Sequence, residues 1–119
     1  KNEVPAALKG GARMGKLVNA QLKRVLDAYS ALETEAASRV WSRDEEVDEH
    51  YQSLFREDVS YTLEDPRTIS ACAHLLFVAK NLERIGDHCT NIAEEIHFLV
   101  PGEQLPTERP KADALNHCT

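Results

Sequence analysis

Leu82-Glu83-Arg84-Ile85-Gly86-Asp87-His88-Cys89-Thr90-Asn91-Ile92-Ala93-Glu94-Glu95 separates, at helical spacing, into two opposite faces. With about 100° per residue and Glu83 as zero, Asp87 falls near 40°, Asn91 near 80° and Glu94 near 20°, whereas Ile85, Cys89, Ile92 and Ile96 gather at about 180–240°. The spacing therefore predicts a helix with an apolar side for packing and a row of oxygen donors pointing away from it. Like charges one turn apart destabilise a bare helix by about 0.2–0.5 kcal/mol per pair. A bound cation would offset that repulsion.

Outward from this stretch the apolar stripe extends through Ile69, Cys72, Leu75, Leu76, Ala79 and Leu82 on one side and Ile96 and Leu99 on the other, until Pro101-Gly102 stops it. Asp65-Pro66 marks its start, because Asp is a strong N-cap and proline suits the first helical position, where no donor is needed. Before that, Thr34 is read as the cap of a second helix carrying Val40, Val47, Tyr51, Leu54, Phe55 and Val59. A first helix follows a short entry holding Pro5 and Gly10-Gly11, with Met14, Val18, Leu22, Val25, Tyr29 and Leu32 at spacings of three and four. Three helices of roughly 25–35 residues would each run about 40–50 Å. Short turns between them make neighbours antiparallel, so the expected fold is all-α, an elongated antiparallel three-helix bundle. The bundle is expected over residues 4–102 and a loose charged tail over 103–119.

The balance of residues suits this. Of 119 residues, 42% are hydrophobic and 29% charged, and the net charge is −6, with 20 acids against 14 bases. No basic run is present, which argues against direct nucleic-acid binding and favours cations or basic partner surfaces. Cys72, Cys89 and Cys118 share no metal-ligand spacing and read as small residues of a reducing compartment, two of them in helix cores. No apolar run approaches the roughly 20 residues of a membrane span.

A second acidic pair, Asp44 and Asp48, stands one turn apart in Arg43-Asp44-Glu45-Glu46-Val47-Asp48-Glu49-His50. Both fall at the margin of the stripe formed by Val47, Tyr51 and Phe55, while Glu45 and Glu49 point further out. Hard cations favour several carboxylate oxygens, and acids one turn apart on each of two adjacent helices could chelate one ion or bridge two. The competing reading is a solvated face on which Lys80 neutralises Glu83 and Arg84 neutralises Asp87. Glu94-x-x-His97 has the spacing of bundle di-iron enzymes, but occurs once and is placed off the core face. His50, His74, His88 and His97 lack the spacing of a closed zinc site and read as surface or boundary residues. Gly86, unfavourable in a helix interior, points to a close helix contact.

Over Leu75-Leu76-Phe77-Val78-Ala79-Lys80-Asn81-Leu82-Glu83-Arg84-Ile85-Gly86-Asp87-His88-Cys89-Thr90-Asn91-Ile92-Ala93-Glu94 the chain closely resembles the PhoU family of bacterial phosphate-signalling regulators, and Asp44–Asp48 and Glu64–Ile69 extend the likeness. The resemblance implies a three-helix repeat of spectrin-like arrangement, of which family members normally hold two, this chain being similar to the second. It implies metal binding by paired acidic motifs, which map onto Asp44 with Asp48 and Glu83 with Asp87. Asn91 and Glu94 continue the second row as additional metal or supporting residues. Iron, zinc, magnesium or manganese are the implied ions. Further implications are a cytoplasmic, non-enzymatic adaptor that negatively regulates phosphate uptake and the starvation response. Its implied partners are the ATPase subunit of the phosphate ABC transporter and a sensor histidine kinase, with the membrane reached only through them. Two copies are expected to pair as a homodimer. The alternative is a metal-independent interaction module. Cys89 stands where the family usually has alanine.

Overall fold

A computed structural model describes residues 5–100, with side chains from Leu8 onward. Its elements are α1 (Pro5–Ala31), α2 (Thr34–Ser42), α3 (Asp44–Glu64), a 3-10 turn (Pro66–Thr68) and α4 (Ile69–Leu99). No strand occurs among the described residues, and the bundle measures 55 × 30 × 15 Å. α1 starts at Pro5 and runs straight through Gly10 and Gly11, so the expected entry loop is the first part of the helix. The glycines are tolerated because neighbours come close: a Cβ on Gly10 would sit 3.1 Å from Leu54 Cδ1, and one on Gly11 3.6 Å from Leu75 Cδ1.

α1 ends by wrapping back on itself. Glu33 N–H donates to Ala28 O at 2.9 Å and Leu32 takes φ 53°, the left-handed position that glycine normally fills. Glu33, not Thr34, then occupies the N-cap of α2, without a side-chain cap bond.

The expected second helix is in fact two. Arg43 (φ −95°, ψ 4°) interrupts it, its N–H shared between Arg39 O and Val40 O at 3.2 Å each. Neither glycine nor proline marks the break. A new helix N-terminus opens at Asp44, with Asp44, Glu45 and Glu46 in its first turn, where the peptide dipoles favour negative charge. Asp65 behaves as expected: its Oδ1 accepts from Arg67 N–H at 3.3 Å and caps the 3-10 turn that leads into α4. α4 stops at Leu99, and Val100 is extended, the conformation favoured before a proline. Pro101-Gly102 and the tail 103–119 lie outside the described residues.

Two apolar clusters make the core. Val25, Ala28, Ala37, Val40, Trp41, Cys89, Ala93 and Ile96 form one; Met14, Val18, Val47, Leu54 and Ala79 form the other. Between them along the chain, Gln21, Asp44 and Thr90 are buried as a polar layer. Gln21 Nε2 donates to Val40 O at 2.9 Å and Thr90 Oγ1 to Gly86 O at 3.1 Å.

The helical-wheel reading of α4 needs correction. Its buried row is Cys72, Ala79, Glu83, Gly86, Thr90, Ala93 and His97, joined by Cys89 and Ile96, while Val78 and Ile85 are exposed. The packed side is therefore rotated toward the acids by most of a quadrant. Small residues explain the rotation, since they let helices approach closely where large aliphatics would hold them apart. A Cβ on Gly86 would lie 3.3 Å from Val47 Cγ1, which confirms the close contact expected there. On α3 likewise, Asp44, Asp48 and Asp58 are buried, whereas Phe55 and Val59 of the expected stripe are exposed.

Candidate metal centre

The polar layer opens onto the seam between α3 and α4. Asp44 stands in the first turn of α3, Asp48 one turn further, and Asp87 reaches across from α4. One carboxylate oxygen from each lies within 4.8 Å of the other two. Asp44 and Asp48 are 1% and 2% exposed, so both charges sit almost wholly out of bulk water; Asp87 is half-buried. Desolvating carboxylates is costly unless charge or hydrogen bonds compensate it. The α3 N-terminus supplies part of this for Asp44.

These residues fit a hard cation. Metal–oxygen bonds of about 2.0–2.6 Å let one ion bridge oxygens up to about 4–5 Å apart, and the all-oxygen donor set suits magnesium, manganese or iron better than a thiolate-seeking ion. Nearby, Cys89 is buried, and burial together with the Asp44 charge pushes its thiol above the usual range, so it remains a neutral packing group.

The other acids of the sequence reading are placed differently. Glu83 is buried but turned to Lys80, whose Nζ donates to Glu83 Oε1 at 2.8 Å and sits 5.3 Å from the centre of the Tyr51 ring. That hydrogen bond holds the Lys80 ammonium above its ordinary value against the opposing effect of burial, with the charges of Glu83 and Asp87 adding to it. Glu94 Oε2 accepts from the Trp41 indole N–H at 3.2 Å, tying α4 to α2. Asn91 is exposed. The donor row of α4 therefore divides into one residue facing the α3 aspartates, one held by lysine, one by tryptophan and one in solvent.

Two buried ionisable residues depart from the sequence reading, one not singled out by it and one placed by it at the surface or boundary. Asp58 is 1% exposed, and burial raises its carboxyl above the ordinary range, opposed by a hydrogen bond with Cys72. It walls a mainly apolar groove of about 190 Å³ between Thr62 of α3 and Ile69 and Cys72 of α4. The signal was the seam Val40, Asp44, Val47, Tyr51, Leu54, Asp58, alternating steps of four and three, in which both aspartates occupy core positions. His97 is also buried, not off the core face, and neither ring nitrogen has a hydrogen-bond partner among the described residues.

Fold and site together define a helical-bundle module with a carboxylate centre shared between two helices. The chain belongs to the PhoU family: the family profile, PhoU domain, matches residues 12–96. It is 65% identical over 104 residues to a "Phosphate-specific transport system accessory protein PhoU homolog" of Caulobacter vibrioides, covering 87% of this chain and 45% of that one. The Rhizobium meliloti homolog is 52% identical over 105 residues, covering 88% of this chain and 44% of that one. The Escherichia coli K12 accessory protein PhoU is 38% identical over 92 residues, covering 77% and 38%. The chain thus spans less than half the length of these curated relatives. No solved structure matches it. No helix among the described residues is long and apolar enough to cross a membrane.

Proposed function

We propose that this chain is a metal-binding module of a non-enzymatic, cytoplasmic adaptor that restrains phosphate uptake and the phosphate-starvation response, linking the ATPase subunit of a phosphate ABC transporter to a sensor histidine kinase. The observation that carries the metal part is the convergence of Asp44, Asp48 and Asp87 from two helices, two of them buried. The names of the relatives, accessory proteins of phosphate-specific transport, carry the context. A divalent or trivalent ion held there offsets repulsion among the carboxylates and ties α3 to α4. The surface beside the site then becomes a fixed shape for a partner.

Elemental analysis of the purified protein after mild dialysis tests the site. Wild type should retain iron, manganese, magnesium or zinc that Asp48→Ala/Asp87→Ala loses, and should melt higher in its metal-loaded form. Equal metal content and equal melting temperature in both proteins would end the assignment. The Lys80–Glu83 pair favours a second reading, in which lysine neutralises the row and the acids contact a basic partner without metal. Capture of the transporter ATPase and the kinase by this chain, with and without chelator, separates the two. Binding undiminished by chelator would select the metal-independent module.

A further inference from the structure

We propose that the apolar groove between the end of α3 and the start of α4, with Asp58 in its floor, docks an amphipathic helix of a partner protein that brings a lysine or arginine to that carboxylate. This deepens the adaptor reading, on which it rests, by naming where a partner sits and what chemistry it carries.

Two apolar stripes build the groove. On α3, Phe55, Val59 and Leu63 recur at steps of four; on α4, Ile69, Ala73 and Leu76 follow at steps of four and three. All but Phe55, one turn before Val59, line the groove itself. α1 does not cover them, because it packs on the other side of the same two helices: its Gly10 faces Leu54 and Glu57, and its Gly11 faces Leu75. Leu63 and Ile69 are left 77% and 63% exposed, with Phe55 and Val59 exposed beside them. From Phe55 to Leu63 is about 12 Å of rise, room for about two turns of a second helix laid along the seam. Apolar residues at i, i+3, i+4 and i+7 are the anchors that such a helix presents to a groove.

The floor supplies an independent observation. Asp58 is 1% exposed, and its Oδ1 has no hydrogen-bond partner among the described residues. The Thr62 hydroxyl, which also lines the groove, donates instead to the Asp58 backbone carbonyl at 3.0 Å. The hydrogen bond with Cys72 does not offset the burial, which keeps the carboxyl above its ordinary range. No lysine, arginine or histidine among the described residues lines the groove. A buried carboxylate with an unpaired oxygen is costly, and a cation delivered from outside removes that cost. Lysine and arginine suit the route, since their methylene stems lie well on apolar walls while the charged head reaches the floor.

Charge selects the occupant. An anionic membrane surface would meet a chain of net charge −6 and set lipid phosphate against Asp58. A second copy docked groove to groove would bring its own Asp58 towards this one, because a twofold contact places the same patch on both sides. A basic amphipathic helix meets both requirements, an apolar stripe for the walls and a cation for the floor. Asp48, the nearer α3 aspartate of the candidate metal centre, stands ten residues before Asp58, about 15 Å of rise away, so the groove is a separate site.

Fluorescence anisotropy of a labelled synthetic helix of about 18 residues, five turns, with leucine along one face and lysine along the other, tests this in chelator. The full chain should bind it and should not bind a leucine–glutamate helix with the same stripe. Asp58→Asn should weaken binding about tenfold or more, the worth of a charge-assisted hydrogen bond, with unchanged helical circular dichroism. Leu63→Asn, at a side chain already in solvent, should weaken it as well, and Leu26→Asn, at an exposed residue of α1 outside the groove, should not. Amide NMR shifts caused by the lysine helix should concentrate in α3 from Phe55 onward and in α4 up to Leu76. Equal affinity in wild type and Asp58→Asn, equal binding of the glutamate helix, or shifts confined to other parts of the bundle would each overturn the proposal. So would capture by phosphatidylglycerol vesicles that Leu63→Asn abolishes, which assigns the groove to a membrane, or a smaller sedimenting mass in Leu63→Asn, which assigns it to a second copy. Neither metal, transporter nor kinase enters this assay, so its failure is distinct from failure of the adaptor reading, which the capture experiments report.

Discussion

Replacing Asp87 by asparagine keeps the shape of the side chain and removes one of three charges whose oxygens lie within 4.8 Å of one another. Two unit charges at that separation repel by about 0.9 kcal/mol in a water-like medium and by about 3.5 kcal/mol at an effective dielectric of 20. Asp87 is half-buried and Lys80 lies within its field, so the lower end applies: about 1 kcal/mol for each of the two pairs it makes. In chelator, Asp87→Asn should therefore melt above wild type, by on the order of 10 °C for about 2 kcal/mol in a domain of this size. Manganese should reverse the order. A ligand at a hundredfold excess over its Kd stabilises by about 2.7 kcal/mol, available to the wild type and largely denied to the variant. Scanning calorimetry of both proteins in EDTA and in manganese chloride measures all four melting temperatures. A variant less stable than wild type in EDTA, or an equal manganese shift in the two proteins, would refute the reasoning.

Asp58→Asn should change how stability depends on pH. Because burial raises the folded-state pKa, the advantage of the protonated carboxyl is complete below the unfolded value near pH ~4 and is lost as pH rises through the raised folded value; the variant should match wild type at low pH and exceed it at pH 7, and parallel urea-unfolding curves across pH would count against this. Leu32→Gly should stabilise the domain by about 1 kcal/mol, since the residue holds a left-handed conformation that costs a side chain about that much; an unchanged or lower urea midpoint would contradict it. Gln21→Ala should lose about 2 kcal/mol, through the buried bond to Val40 O and the cavity left between the two core clusters. The chain's only tryptophan, Trp41, gives a fluorescence signal for following that loss.

The sequence made the helical class, the Asp65-Pro66 start and the length of the last helix readable, because each rests on local chemistry: a cap, a locked φ, a long run without breakers. The break at Arg43 was hidden because Ser42-Arg43 contains no residue that forbids a helix. The facing of α4 was misjudged for a different reason. Hydrophobic size locates apolar surface but not which part of it this bundle uses, and the helices meet on Gly86, Thr90 and Ala93 as well as Cys89 and Ile96, leaving Ile85 exposed. The same rotation brought Asp44 and Asp48 from the margin into the interior. Their pairing with an acid of α4 was expected; that Asp87 would meet them while Glu83 turned to Lys80 depends on a register that only the packed bundle sets.

Gly86 lies one residue before Asp87 and rests on Val47, which stands between Asp44 and Asp48 in the chain. It therefore works as a caliper: the absent side chain fixes how far the two carboxylate-bearing backbones stand apart. Hard cations differ in their bonds to oxygen by a few tenths of an ångström, about 2.0–2.1 Å for magnesium against 2.3–2.6 Å for calcium. The 3.3 Å contact that a Cβ would make here requires Val47 to yield by a similar amount. On the metal reading proposed above, a methyl group at position 86, itself no oxygen donor, would consequently shift the radius of the ion held between the aspartates.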